Sequence, residues 1–218
     1  MMGRRLHRMS AAEGGYTVVE LSVSMLLSAL IFGSLVSVIY SFSQQASDSG
    51  RNANLQLASR ELVAEMVVEL RQAEKVVANG YPIESLDSDK IVFYSDRLES
   101  EGPERIVYER KDCMDNLCEL WLTRFPAVPG SGPWWQFSDV PLEHGMVLHR
   151  LPVDQALFSG ADWIGDPPSK TYIFACGPGG PECDFPLVSI LFRANPSGTS
   201  TGANNTYEVE EEVRLRNG

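Results

Sequence analysis

The longest apolar run in the chain extends from Val18 to Phe42. Across those 25 residues Glu20 is the only charged side chain, and Asp, Lys and Arg do not occur. A helix needs about 20 apolar residues to cross a bilayer, so the run is long enough to span one. Its polar residues are six serines, Ser22, Ser24, Ser28, Ser34, Ser37 and Ser41. Serine is tolerated there because its hydroxyl bonds back to a carbonyl of its own helix. No proline interrupts the run, so the pattern predicts a straight helix, greasy on all sides.

The pattern changes after Phe42 without becoming loop-like. Leu55, Ala58, Leu62, Met66, Leu70, Ala73 and Val77 recur at three- and four-residue intervals. That spacing predicts a helix with one apolar stripe. Glu61, Glu65, Arg71, Gln72 and Lys75 fall mostly off the stripe. The joint "QQASDSGRN" (44–52) contains Gly50 but no proline, which permits a bend without requiring a stop. "NGYP" (79–82) predicts the end, since glycine caps a helix and proline prevents its continuation. One helix from Tyr16 to about Ala78 is therefore expected, apolar all round over 16–42 and amphipathic over 43–79.

From residue 80 the period becomes two. "KIVFYS" (90–95), "RIVYER" (105–110), "ELWLTR" (119–124), "MVLHRL" (146–151), "TYIFAC" (171–176) and "LVSILFRA" (187–194) read as strands between polar turns. "TYEVEEEVRLR" alternates too, with Glu211 interrupting its apolar row, which suggests an edge strand. Trp134 and Trp135, in a Pro/Gly-rich loop, are expected to pack on the sheet. The fold class is α+β: a long N-terminal helix whose stripe covers an antiparallel sheet in an 80–218 domain.

Charge changes the picture in two ways. Arg4, Arg5 and Arg8 precede the apolar run, and basic residues on a short flank keep that end cytoplasmic. Residues 1–15 then read as a leader, with the rest of the chain on the outer side of a cytoplasmic membrane. The net charge is −11; residues 1–15 hold three Arg and one Glu, a net of +2, so residues 16–218 carry −13. Such a surface disfavours nucleic acid as a partner. The cysteines form two close pairs, Cys113 with Cys118 and Cys176 with Cys183. Outside the cytoplasm two disulfides are expected, and proximity favours those pairings without excluding the other two connectivities.

Catalytic chemistry does not emerge. His7, His144 and His149 are the only histidines, and neither a G-x-S-x-G nor a Walker sequence occurs. "CGPGGPEC" lacks the Lys-Ser/Thr of a phosphate loop. Cys176, Cys183, His144 and His149 do not have zinc-site spacing, and Asp162, Asp166 and "ECD" (182–184) meet no calcium-loop rule. No enzyme activity, cofactor or metal is expected.

One motif is specific. Gly15, Tyr16, Thr17, Val18, Val19, Glu20 and Leu21 follow a basic leader and open the apolar run. This arrangement resembles the processing signal of type IV prepilins and type II secretion pseudopilins. Two departures stand out: Tyr16 replaces the commoner Phe, and Gly14 stands where a basic residue is more usual. The resemblance implies that a prepilin peptidase cleaves between Gly15 and Tyr16 and that Tyr16 is N-methylated. It implies that Glu20 then pairs with the terminal amine of a neighbouring subunit, pairing with Tyr16's own amine being the rival arrangement before assembly, while an assembly platform in the inner membrane and other pilin-like subunits are the partners. An unpaired carboxylate among apolar helices is costly, so a cation delivered by the next protomer favours one axial register. "ELVAEMVVELRQAEKV" with the following strands, and the terminal "VRLRN", resemble the larger minor pseudopilins of J type and W-like minor pilins. The expected function is a minor filament subunit in secretion, adhesion, DNA uptake or motility. The alternative is a membrane-tethered or exported binding or enzyme domain behind an ordinary signal, with Arg4 and Arg5 as a twin-arginine pair. Against it, the apolar run exceeds a 7–15-residue signal core and Glu20 would have no purpose.

Overall fold

The computed structural model describes residues 17–76, 80–97, 102–153, 156–164, 169–177, 183–194 and 207–216. The chain divides into two compact units, residues 1–47 and 48–218. Helix α1 (Val18–Arg71) provides the described part of the first unit and the opening of the second. In the first unit its apolar side chains are exposed around the whole circumference.

In the second unit α1 packs on two antiparallel sheets. The first is a meander in chain order, β1 (Ile83–Asp87), β2 (Lys90–Ser95), β3 (Glu104–Met114), β4 (Leu117–Phe125) and β5 (Glu143–Pro152). The second contains β6 (Phe158–Ile164), β7 (Ser169–Ile173), β8 (Leu187–Ala194) and β9 (Tyr207–Arg214), in spatial order β7-β6-β8-β9. β4 alternates between inward and outward residues, placing Cys118, Leu120, Leu122 and Arg124 inward. Leu62, Met66 and Leu70 of α1 share a core with Phe93, Tyr108 and Leu120 of the first sheet and Phe158, Phe185 and Phe192 near the second. Backbone bonds tie the sheets together: Leu86 and Cys176 exchange both N–H···O bonds, and the Leu157 N–H donates to the Ser88 carbonyl at 2.6 Å. Both local disulfides are present, Cys113–Cys118 across the β3–β4 turn and Cys176–Cys183 between β7 and β8. At that turn Asp115 and Asn116 have φ of 52° and 64°, values these two residue types tolerate.

Several expectations are corrected. α1 ends at Arg71 rather than near Ala78, because Ala73 bridges to Ser95 and the Glu74 N–H donates to the Tyr94 carbonyl at 3.0 Å. Sheet pairing thus captures the backbone before "NGYP" is reached; Val77 lies outside the described residues. Ala58 is exposed, while Ser59 and Glu69 are buried. The inward row is therefore Leu55, Ser59, Leu62, Met66, Glu69 and Ala73, at alternating four- and three-residue steps. The single expected sheet is two. "TYIFAC" contributes only its first half to a strand, with Cys176 beyond it in the bridge to Leu86. Trp134 is 55% exposed instead of packed. Trp135 does pack, over Gly102 and Gly132, where a Cβ would meet its ring at 2.7 and 3.0 Å.

Glu69 explains how the helix is locked in place. Its side chain is fully buried and accepts hydrogen bonds from Arg124, from Arg97 Nη1 at 3.0 Å and from the Tyr108 hydroxyl at 2.9 Å. Arg124 occupies the last inward position of β4, so two core-facing charges from different elements meet. Burial and the Glu69 carboxylate push the Tyr108 hydroxyl far above its usual pKa. Removing one member of a buried pair leaves an uncompensated charge, which makes the pair a strong determinant of where α1 sits.

Candidate functional site

The candidate site is the head of α1. Thr17 precedes the first helical residue and Glu20 is the third residue of the helix. The Thr17 N–H donates to Glu20 Oε2 at 3.2 Å, and its hydroxyl donates to the same oxygen at 3.3 Å. In return the Glu20 N–H donates to Thr17 Oγ1 at 3.2 Å. This is a capping box, in which two of the orphan donors at a helix start are satisfied reciprocally. The positive end of the helix dipole adds to it. The carboxylate thus has a local reason to sit at the third helical position, one that the T-x-x-E spacing already encodes.

The rest of the span is prepared for an apolar medium. Ser22 donates to the Val18 carbonyl at 2.9 Å, Ser24 to Glu20 at 2.7 Å, Ser34 to Ile31 at 2.8 Å and Ser41 to Ser37 at 3.0 Å. Those hydroxyls demand nothing from the surroundings. An 18-residue window here has a mean hydropathy of 2.2 and is unburied, so the helix is long and apolar enough to cross a membrane. From Val18 to Phe42 it rises about 37 Å, against a hydrocarbon thickness of about 30 Å. Exposing that much apolar surface to water is unfavourable by about 25 cal/mol per Å², so this stretch needs lipid or other helices around it.

Gly15 and Tyr16, the expected processing pair, lie outside the described residues. Glu20 is placed as described, remote in sequence from the cysteines. Cys176 and Cys183 are bonded to each other and are therefore not thiolate ligands. His144 stacks on Trp121 with ring centroids 5.1 Å apart and shares a 2.8 Å hydrogen bond with Thr123. Among the described residues no group of three His, Cys, Asp or Glu is arranged to hold a metal ion; Asp166 and Glu182 lie outside those residues. Comparisons with protein-family models, with characterised proteins and with solved structures give no match.

Proposed function

We propose that this chain is a minor pilin or pseudopilin, cleaved between Gly15 and Tyr16, N-methylated on Tyr16 and assembled through α1 into a filament. One observation carries the reading: a lone carboxylate, Glu20, stands at the third position of an apolar helix exposed on every side. Among the described residues the capping box gives that carboxylate two donors but no cation; before assembly the chain's own Tyr16 amine is the rival source of one. A neighbouring subunit's terminal amine, placed at the same depth by helix stacking, would supply the missing charge. The α+β architecture, with the second half of the helix packed on antiparallel sheets, fits a subunit whose folded domain is carried on a helix used for assembly. The inner membrane is the site before assembly, with the β-rich domain outside.

The test begins with the N-terminus of the protein purified from cells containing an active prepilin peptidase. A chain beginning with methylated Tyr16 is expected. Retention of residues 1–15, or a start near Ala46 from ordinary signal cleavage, overturns the reading. Glu20→Ala should then be processed normally but recruited into filaments at least tenfold less, equivalent to ~1.4 kcal/mol. Undiminished recruitment would remove the assembly role while leaving the processing step standing.

A further inference from the structure

The four outer strands of the two sheets differ in how they are protected. An exposed strand edge templates pairing with other chains, and natural sheets blunt it with short strands, bulges or proline. β1 is five residues long and carries a register shift against β2. β5 carries two register shifts against β4. β7 is five residues long. β9 lacks these three devices, pairing with β8 over eight residues without a shift or a proline, and what marks it as an edge is charge, with Glu211 interrupting its apolar row. Among the described residues no strand pairs with its outer side.

Its charges are ordered as well. Glu208, Glu210, Glu212, Arg214 and Arg216 alternate with the row that includes Val209, Val213 and Leu215, of which Val213 and Leu215 are buried. The polar row is thus acidic at its start and basic at its end. Arg214 and Arg216 form no ion pair among the described residues, and neither does Glu210. A row serving only to repel other edges would be better built from one sign of charge. A row that changes sign along its length matches itself when reversed.

We infer that β9 is a self-complementary docking edge, which pairs antiparallel with β9 of a second copy and joins two four-stranded sheets into one. With the strands crossing at Glu212, Glu210 of each copy stands opposite Arg214 of the other, and Glu208, which also pairs with Arg193 of its own chain at 2.7 Å, stands opposite Arg216 just past the end of β9. The two Glu212 residues meet at the centre, and each is already bonded to Lys170 and to the Tyr172 hydroxyl of its own chain. On the other row Val209 meets Leu215, and the exposed Glu211 stands opposite Val213. Cross-strand pairs of opposite charge and of apolar residues are the arrangements that stabilise antiparallel strands. Beside the edge, α1 and β9 border a groove of about 690 Å³ lined by Val63, Val67, Val68, Glu210 and Glu211, which leaves room for the arriving side chains. The pairing goes beyond the filament reading, since it uses no residue of the apolar span.

A charge swap tests it with full-length protein in detergent micelles, using two differently tagged copies. Glu210→Arg alone and Arg214→Glu alone should each reduce self-copurification about tenfold, because both cross-strand pairs become like-charged. Mixing the two variants should restore it, since each copy then supplies the sign the other needs. Copurification of the unmutated protein should fall as NaCl rises from 0.1 M to 1 M, where the screening length shrinks from about 10 Å to about 3 Å. Pairing through the apolar helix would not respond to the two substitutions. Self-copurification that survives both variants, or a mixture that fails to recover while each variant keeps the parent's urea midpoint, overturns the inference.

Discussion

At the scale of single residues, close packing makes small positions decisive. Gly160 of β6 lies under Phe185, and a Cβ added there would meet that ring at 2.6 Å. Phe185 is buried with Phe158 and Phe192, so it has little room to retreat. Gly160→Ala should therefore destabilise the domain by about 1–3 kcal/mol, read as a lower urea midpoint at unchanged slope. Other residues were legible from the sequence only in part. The T-x-x-E spacing of Thr17 and Glu20 is that of a capping box, a signal overlooked beside the processing motif, and the structure has it. Glu69 was overlooked for a different reason. An apolar stripe picks out Leu62, Met66 and Leu70 and passes over a carboxylate between them. The signal that would have found it is its step of three from Met66 and four to Ala73, a core register occupied by an ion. Its partner Arg124 stands likewise at the end of the inward row of β4. Alternation counted by hydrophobicity alone misses both.

At the scale of elements, strands with strong alternation were readable and weakly apolar ones were not. "KIVFYS" and "LVSILFRA" form β2 and β8 over the residues the pattern marks. β1, "IESLD", has only two apolar residues and a bulge between Ile83 and Ser85 that breaks the period. β6, "FSGADWI", looks like a turn because it contains Gly160 and Asp162, yet its glycine is there to admit Phe185. The helix end was misplaced because sheet pairing at Ala73 overrides the cap signal at "NGYP". The two disulfides also divide by element. Cys113–Cys118 closes a hairpin that backbone pairing already holds, and Cys113 is exposed. Cys176–Cys183 is buried at the seam where Cys176 pairs with Leu86 of β1. Loop-closure entropy gives about 2 kcal/mol for either short loop. Replacing Cys176 and Cys183 by Ser should cost more than that, since two hydroxyls enter an apolar site, whereas replacing Cys113 and Cys118 should cost no more than the entropic figure. Thermal unfolding of the two double variants checks the order.

At the scale of the whole molecule, stability depends on pH through ions built into the fold. Burial alone would raise the pKa of Glu84, but hydrogen bonds from Arg105 and Tyr94 and the charges of Arg105 and Lys90 outweigh it and hold the carboxyl below 4.5. A depressed carboxylate contributes stability that is complete above the unfolded-state value and is lost as pH falls through the folded-state value. Glu84→Gln should therefore be less stable than the parent at neutral pH, with the gap closing below pH 4.5; urea midpoints across that range measure it. The union of helix and sheet has a further consequence, for synthesis on the ribosome. Glu69 and Arg124 are 55 residues apart in the chain. At roughly 5–20 residues per second, the arginine emerges some 3–11 s after its carboxylate. For that interval α1 can already meet Phe93 and Tyr108 of β2 and β3, but its inward carboxylate lacks the Arg124 guanidinium, so the seat of the helix is completed only when β4 arrives.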